Sequence, residues 1–168
     1  MTSPFNILVL CTGNSARSLI AETLIRDLGV SVCLVAFSAG SKPKGVPHPM
    51  ALKVLSEAGH EVSGLRSKSW DEFGGDDAPA MDLVITVCGN ARDEVCPIWP
   101  GHPLQVHWGL EDPAAVEGDG QKAAFETTYR DMKARVEKLV ALDIRGTETD
   151  DLRSALRDIH ANSPGVVE

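Results

Sequence analysis

The chain has 168 residues, 43% of them apolar and 24% charged, with a formal net charge of −8, enough for one domain with a core of its own. The negative charge, which no Lys/Arg cluster offsets, argues against nucleic acid as a partner, and no apolar run approaches a membrane span. The N-terminus lacks the basic region of a signal peptide, so a cytoplasmic location is expected, where the four cysteines suit catalysis, redox chemistry or metal binding better than a disulfide frame.

In chain order, Phe5–Leu10 reads as a buried parallel strand. The spacing of Ala16, Leu19, Ile20, Leu24 and Leu28 predicts a helix over 15–28, stopped by Gly29. A second strand follows over 31–38, then a Pro/Lys/Gly loop and a helix over 49–58. Strands over 83–87 and 104–108 come next, then a long helix over 123–142. Residues 1–145 read as the domain and 146–168 as a charged appendage with a short helix near 151–160 and a loose end. Strands alternating with helices predict a parallel, doubly wound α/β sheet, whose ligands sit at the carboxyl ends of the strands. Cys11 and Cys88 both fall there.

The stretch Cys-Thr-Gly-Asn-Ser-Ala-Arg-Ser, residues 11–18, joins the first strand to the first helix. Such a junction points several backbone N–H groups into one concavity, and the helix dipole adds to it, which makes an oxyanion site. Thr12, Gly13, Asn14, Ser15, Ala16, Arg17 and Ser18 form the candidate cradle. Gly13 permits close approach, and Asn14 tolerates a left-handed backbone. Arg17 brings a planar fork for two oxygens. The same positive field favours thiolate at Cys11, against an ordinary thiol pKa of about 8.5. Ser18 is placed to donate a hydroxyl hydrogen bond to that sulfur. Neither a G-x-G-x-x-G fingerprint nor a Gly-Lys-Ser/Thr P-loop is present.

This stretch resembles the phosphate loop of low-molecular-weight protein tyrosine phosphatases, and still more that of the arsenate reductases built on the same fold. The likeness continues through "AFSAG", "MDLVITVC" and "HWGLEDPAA" to the long helix. It implies a three-layer α/β fold, flavodoxin-like, with a four-stranded parallel sheet flanked by helices. Within that resemblance, Ala16 stands where phosphatases carry a second cysteine, and Asp112-Pro113 is followed by alanines rather than by aromatics that grip a phosphotyrosine ring. The resemblance implies that Cys11 attacks arsenate held by the loop and Arg17, with Asp112 as general acid. Cys88 then attacks Cys11, and Cys96, eight residues further on, draws the disulfide outward to an external dithiol.

Thioredoxin is the donor this implies, with a glutaredoxin or mycothiol system as the alternative, and phosphate or sulfate would compete with arsenate. No cofactor is expected. The family's potassium site would use Asn14, Glu22 and Ser38, but Lys68 stands where an aspartate completes it, and its ammonium would pair with Glu22 instead. Two further readings stay open: a phosphatase acting on phosphotyrosine or small phosphoesters, and a non-catalytic oxyanion or metal sensor. A zinc site from Cys88, Cys96, His102 and His107 lacks the usual close ligand pairs. Cys33 reads as a core thiol, and His48 and His60 as surface loop residues.

Overall fold

The structure, a computed structural model, describes residues 3–89, 91 and 99–167. Four strands, β1 (Phe5–Leu10), β2 (Leu34–Ala39), β3 (Leu83–Thr86) and β4 (Leu104–His107), form one sheet in the order β2-β1-β3-β4. Every neighbouring pair is parallel. The centre of the sheet is the most apolar part of the chain: Ile7, Leu8, Val9, Leu83 and Val84 are buried completely or nearly so, as strands covered on both faces require. Helix α1 (Arg17–Leu28) packs on β1, β2 and the long helix α3 (Gln121–Val140), against which α2 (Pro49–Glu57) also lies. The doubly wound parallel sheet is therefore as the alternation of elements predicts. Among the described residues no helix is long and apolar enough to cross a membrane.

Two boundaries differ from the sequence reading for local reasons. Helix α1 begins at Arg17, because residues 11–16 are spent on the loop that precedes it. Strand β2 begins at Leu34 after a 3-10 turn over Val30–Val32, and Cys33 closes that turn at φ 57°. Cys33 is thereby half-buried beside a surface hollow, not a core thiol.

The two loop histidines also have structural work. His48 caps α2, its Nδ1 accepting from Met50 N at 3.0 Å, and its ring packs on Phe125. His60 bridges α1 to α3, with Nδ1 2.6 Å from Asp27 Oδ2 and Nε2 2.7 Å from Tyr129 OH. Arg26 first, and then His60, hold the Asp27 carboxyl down to about 2.

Beyond residue 146 the chain is tied to the body. Helix α4 (Thr149–Ala161) packs on β4 through Leu152, Leu156 and Ile159. The fully buried Trp108 donates its indole N–H to Leu156 O at 2.9 Å. From α3, the fully buried Arg135 donates to His160 Nδ1 (3.0 Å), Asp131 O (2.8 Å) and Pro164 O (2.7 Å). The segment expected to hang loose returns to the body, Val167 N donating to Gly109 O at 3.3 Å. A charged guanidinium without solvent needs such acceptors, and the sequence pattern of α4 does not disclose that its neighbours supply them.

His160 accepts from a cation, so protonation opposes that contact. Burial first, then Arg135 and His107, lower its pKa from 6.5 to about 4. The unfolded chain takes up a proton as pH falls through about 6.5 while the folded chain does not, so stability is lost on acidification. The melting temperature should therefore fall between about pH 7 and about pH 5, and His160→Gln should flatten that fall. Parallel thermal melts of the two proteins check this; identical slopes would remove His160 from the acid response.

Candidate active site

The strand order reverses between β1 and β3, and ligands of open parallel sheets bind at such a point. Leu10 leads there directly into the loop over residues 11–16. Cys11 N donates to Ala39 O at 3.2 Å, which carries the β1–β2 ladder one residue past the strand. The loop carbonyls are then turned onto their neighbours: Thr12 O accepts from Lys42 N (3.0 Å), Gly13 O from Lys44 N (3.0 Å) and Ser67 Oγ (3.0 Å), and Ser15 O from His48 N (2.9 Å). In a trans peptide the N–H points opposite to the carbonyl before it. The N–H groups of Gly13, Asn14 and Ala16 are thus aimed the other way, and Gly13 N–H meets the Cys11 sulfur.

Asn14 makes the reversal possible. It is fully buried at φ 44°, and its side chain holds that conformation by donating to Ser18 Oγ (2.8 Å) and Ser38 Oγ (2.9 Å) while accepting from Lys68 N (2.9 Å). Helix α1 has no side-chain cap, which leaves first-turn N–H groups for an anion.

A small cavity of about 50 Å³ opens over this loop, lined by Cys11, residues 13–17, Lys44, Asp112 and Ala114. That is far smaller than the roughly 300–1,000 Å³ of a pocket for a drug-sized ligand, so the space suits a small anion. Thr12 and Ser18 stand behind it. Thr12 gives its N–H to Cys88 (3.4 Å), and the Ser18 hydroxyl is met by Asn14.

The two buried thiols, Cys11 and Cys88, are hydrogen-bonded to one another. Cys88 Sγ also accepts from Thr12 N and from Ala91 N, both at 3.4 Å, and lies 3.6 Å from Thr12 Oγ1. The bond from Cys11, backed by these donors, brings the Cys88 thiol down to about 5. The same bond, together with burial, raises Cys11 well above the usual thiol range, against the pull of Arg17 and of Gly13 N–H. The two sulfurs are thus pushed in opposite directions, Cys11 up and Cys88 down, because more donors converge on Cys88. The upward direction at Cys11 runs against the sequence expectation that the loop's field favours thiolate there, although Arg17 and Gly13 N–H do act in the expected sense.

Arg17 lies across the cavity wall. Its Nη1 donates to Leu110 O at 2.9 Å, its Nη2 is 3.8 Å from Asp112 Oδ2, and its buried Nε meets no acceptor. An anion oxygen in the cavity would satisfy that donor. Asp112 has two duties: Oδ1 caps the turn Pro113–Ala115 by accepting from Ala114 N (3.0 Å), and Oδ2 faces Arg17. The turn reading of Asp112 is carried by Oδ1, which leaves Oδ2 on the cavity side facing Arg17.

Residues 6–149 match the model of the family "Low molecular weight phosphotyrosine protein phosphatase". The chain belongs to that family. It is 42% identical, over 127 residues, to the arsenate reductase of Bacillus licheniformis, covering 74% of this chain and 86% of that one. An arsenate reductase solved in the phosphate binding state superposes with a TM-score of 0.65 at 33% identity, over 82% of this chain and 97% of that one. A thioredoxin-dependent arsenate reductase of Corynebacterium glutamicum gives 0.60 at 31%, over 83% of this chain and 62% of that one.

In this member of the phosphatase family an internal cation lies beneath the loop. Lys68 Nζ is 3.6 Å from Glu22 Oε1, 3.5 Å from Ser38 Oγ and 3.0 Å from Arg66 O, and Ser38 donates a short hydrogen bond to Glu22. Burial lowers the Lys68 pKa while Glu22 opposes that. Cys96 lies outside the described residues. His107 Nδ1 pairs with Thr86 Oγ1 at 2.7 Å, and among the described residues no three His, Cys, Asp or Glu side chains gather as metal ligands.

The sequence reading missed Gly40 and Lys44. A Cβ on Gly40 would lie 2.4 Å from Thr12 O and 2.7 Å from Cys11 O, closer than atoms can stand. The glycine ending "AFSAG" is what lets the cysteine loop lie against β2. Gly40→Ala should therefore displace the loop, lowering the melting temperature and weakening inorganic phosphate binding together. Calorimetry on the variant checks both, and unchanged phosphate binding would show that the loop tolerates the added carbon.

Proposed function

We propose that the chain reduces arsenate to arsenite with Cys11, Cys88 and Cys96 acting in turn. The observation that carries this reading is the hydrogen-bonded Cys11–Cys88 pair at a cavity sized for one oxyanion. A phosphatase needs only one of these sulfurs. The relatives' activity points the same way.

Arsenate enters with its oxygens on the loop N–H groups and Arg17. The proton of Cys11 crosses to Cys88, the adjacent sulfur base, and Cys11 attacks arsenic. The displaced oxygen leaves as water with a proton from Asp112. Cys88 gives its proton to solvent and attacks the Cys11 sulfur. The S–S bond forms and the S–As bond breaks with its electron pair on arsenic, so arsenic gains two electrons and leaves as arsenite. Cys96 next attacks Cys88 and frees Cys11, and an external dithiol reduces the Cys88–Cys96 bond.

Thioredoxin is the proposed donor, on the analogy of the thioredoxin-dependent relative; glutaredoxin and mycothiol are the alternatives. A relay of free thiols needs a reducing compartment, so the proposed location is the cytoplasm. The Cys11, Arg17 and Asp112 set also supports slow hydrolysis of small phosphoesters. Lys68 takes the part of potassium between Asn14, Glu22 and Ser38.

The test is arsenate-dependent NADPH oxidation through thioredoxin and its reductase. Cys11→Ser should abolish it, since a serine oxygen is a far weaker nucleophile than a thiolate and cannot form the S–S bond through which arsenic gains its electrons. Cys88→Ala should stop turnover yet retain slow phosphoester hydrolysis. Cys96→Ser should release about one arsenite per enzyme and stall, with mass spectrometry finding Cys11 joined to Cys88. Stoichiometric binding without reductant consumption by the unmodified protein would favour a sensor.

Potassium should change the melting temperature no more than sodium does, whereas Lys68→Asp should create a potassium-specific stabilisation. A potassium response of the unmodified protein would place the cation elsewhere.

A further inference from the structure

The walls of the oxyanion cavity carry three charged side chains, Arg17, Asp112 and Lys44. Arg17 and Asp112 face each other at 3.8 Å and cancel. The whole chain carries a formal charge of −8. Backbone dipoles and a cancelled ion pair are a weak trap for a doubly charged oxyanion under such a field. The cation that changes this balance is Lys44.

Its placement is specified by the loop itself. Lys44 N donates to Gly13 O, and two residues earlier Lys42 N donates to Thr12 O, each at 3.0 Å. Gly45 then turns at φ 88°, with its N–H on Ser67 Oγ at 3.1 Å. With the backbone held on both sides, the lysine stem lies across the bare face of Gly13. A Cβ on Gly13 would be 3.3 Å from Lys44 Cε and 3.4 Å from Cγ. The missing side chain of Gly13 therefore makes room for Lys44 as well as for an anion. Lys68 is committed to Glu22, Ser38 and the Arg66 carbonyl. Lys44 Nζ makes no ion pair or hydrogen bond among the described residues, and its side chain lines the cavity beside the unpartnered Arg17 Nε.

We propose that Lys44 is a specificity-determining residue of this site, an ammonium at the cavity rim that selects the doubly charged form of a tetrahedral oxyanion. The proposal rests on the loop being the oxyanion site. It adds that Arg17 and the backbone alone hold a singly charged anion about as well as a doubly charged one. Lys44 supplies the difference, at the binding step and before any sulfur moves.

Inorganic phosphate tests this without turnover, because it passes from mostly monoanion to mostly dianion between about pH 6 and about pH 8. Isothermal calorimetry on the full chain should find phosphate binding tighter at the higher pH. Lys44→Met should weaken binding at the higher pH by about tenfold, in the range of one charge-assisted hydrogen bond, with little change at the lower pH. Lys44→Arg should restore the pH dependence. In the thioredoxin-coupled assay Lys44→Met should raise KM for arsenate far more than it lowers kcat.

Equal phosphate affinity of Lys44→Met and the unmodified protein at the higher pH would overturn the proposal. So would an equal loss at both pH values, which would make Lys44 a general support of the loop. A failure of the unmodified protein to bind phosphate at all would instead overturn the oxyanion reading beneath it. Phosphate binding with the expected pH dependence but no arsenate reduction would leave Lys44 in place and overturn the reductase reading alone.

Discussion

The hydrogen bond between Cys11 and Cys88 exists because β1 and β3 are neighbours in a parallel sheet, so that the residues just past their carboxyl ends meet. Everything chemical follows from that contact. Two thiols in a dry site cannot both ionise, because the second charge would sit beside the first without water. The pair therefore keeps one proton, and the local donors decide which sulfur holds it. Thr12 N–H and Ala91 N–H both end on Cys88, which favours the charged form of the sulfur that acts second in the proposed relay.

The loop over this pair is shaped by what surrounds it more than by its own residues. Its carbonyls are held by the 42–48 segment and Ser67, and the absence of a side chain at Gly40 lets it approach β2. Beneath it, Asn14 ties the loop to Ser18, Ser38 and the Lys68 backbone. The Lys68–Glu22 pair is largely screened from solvent, where removing one partner of an ion pair typically costs about 3–5 kcal/mol. Such a pair is a rigid internal support beneath the loop.

The last helix bears on the same site from the far side. Gly109 O receives Val167 N, Trp108 reaches Leu156 O, and the carbonyl of Leu110 holds Arg17. The segment 108–110 is thus gripped between the carboxyl end of β3, through Thr86 O and Val87 O, and the residues after α4. The family match ends at residue 149, so the support that α4 gives to the guanidinium comes from beyond the matched part of the chain.

Much of this was legible in the residues alone. Apolar runs announced the four strands, because a strand covered on both faces must be apolar throughout. A strand, a Cys-to-Arg loop and a helix announced the candidate oxyanion site, because that junction concentrates N–H dipoles within a few residues. The pairing of the Lys68 ammonium with Glu22 was readable as a change of charge. Contacts between residues distant in sequence were not. Gly40 matters through an atom it lacks, and Lys44 through the face of Gly13 on which it lies. Trp108, Arg135 and His160 are joined by a docking that no periodicity encodes. Sequence determined which groups are present and what local backbone they favour. The tertiary structure decided how the two sulfurs differ, because that depends on the donors that the 11–12 loop and Ala91 together bring to one atom.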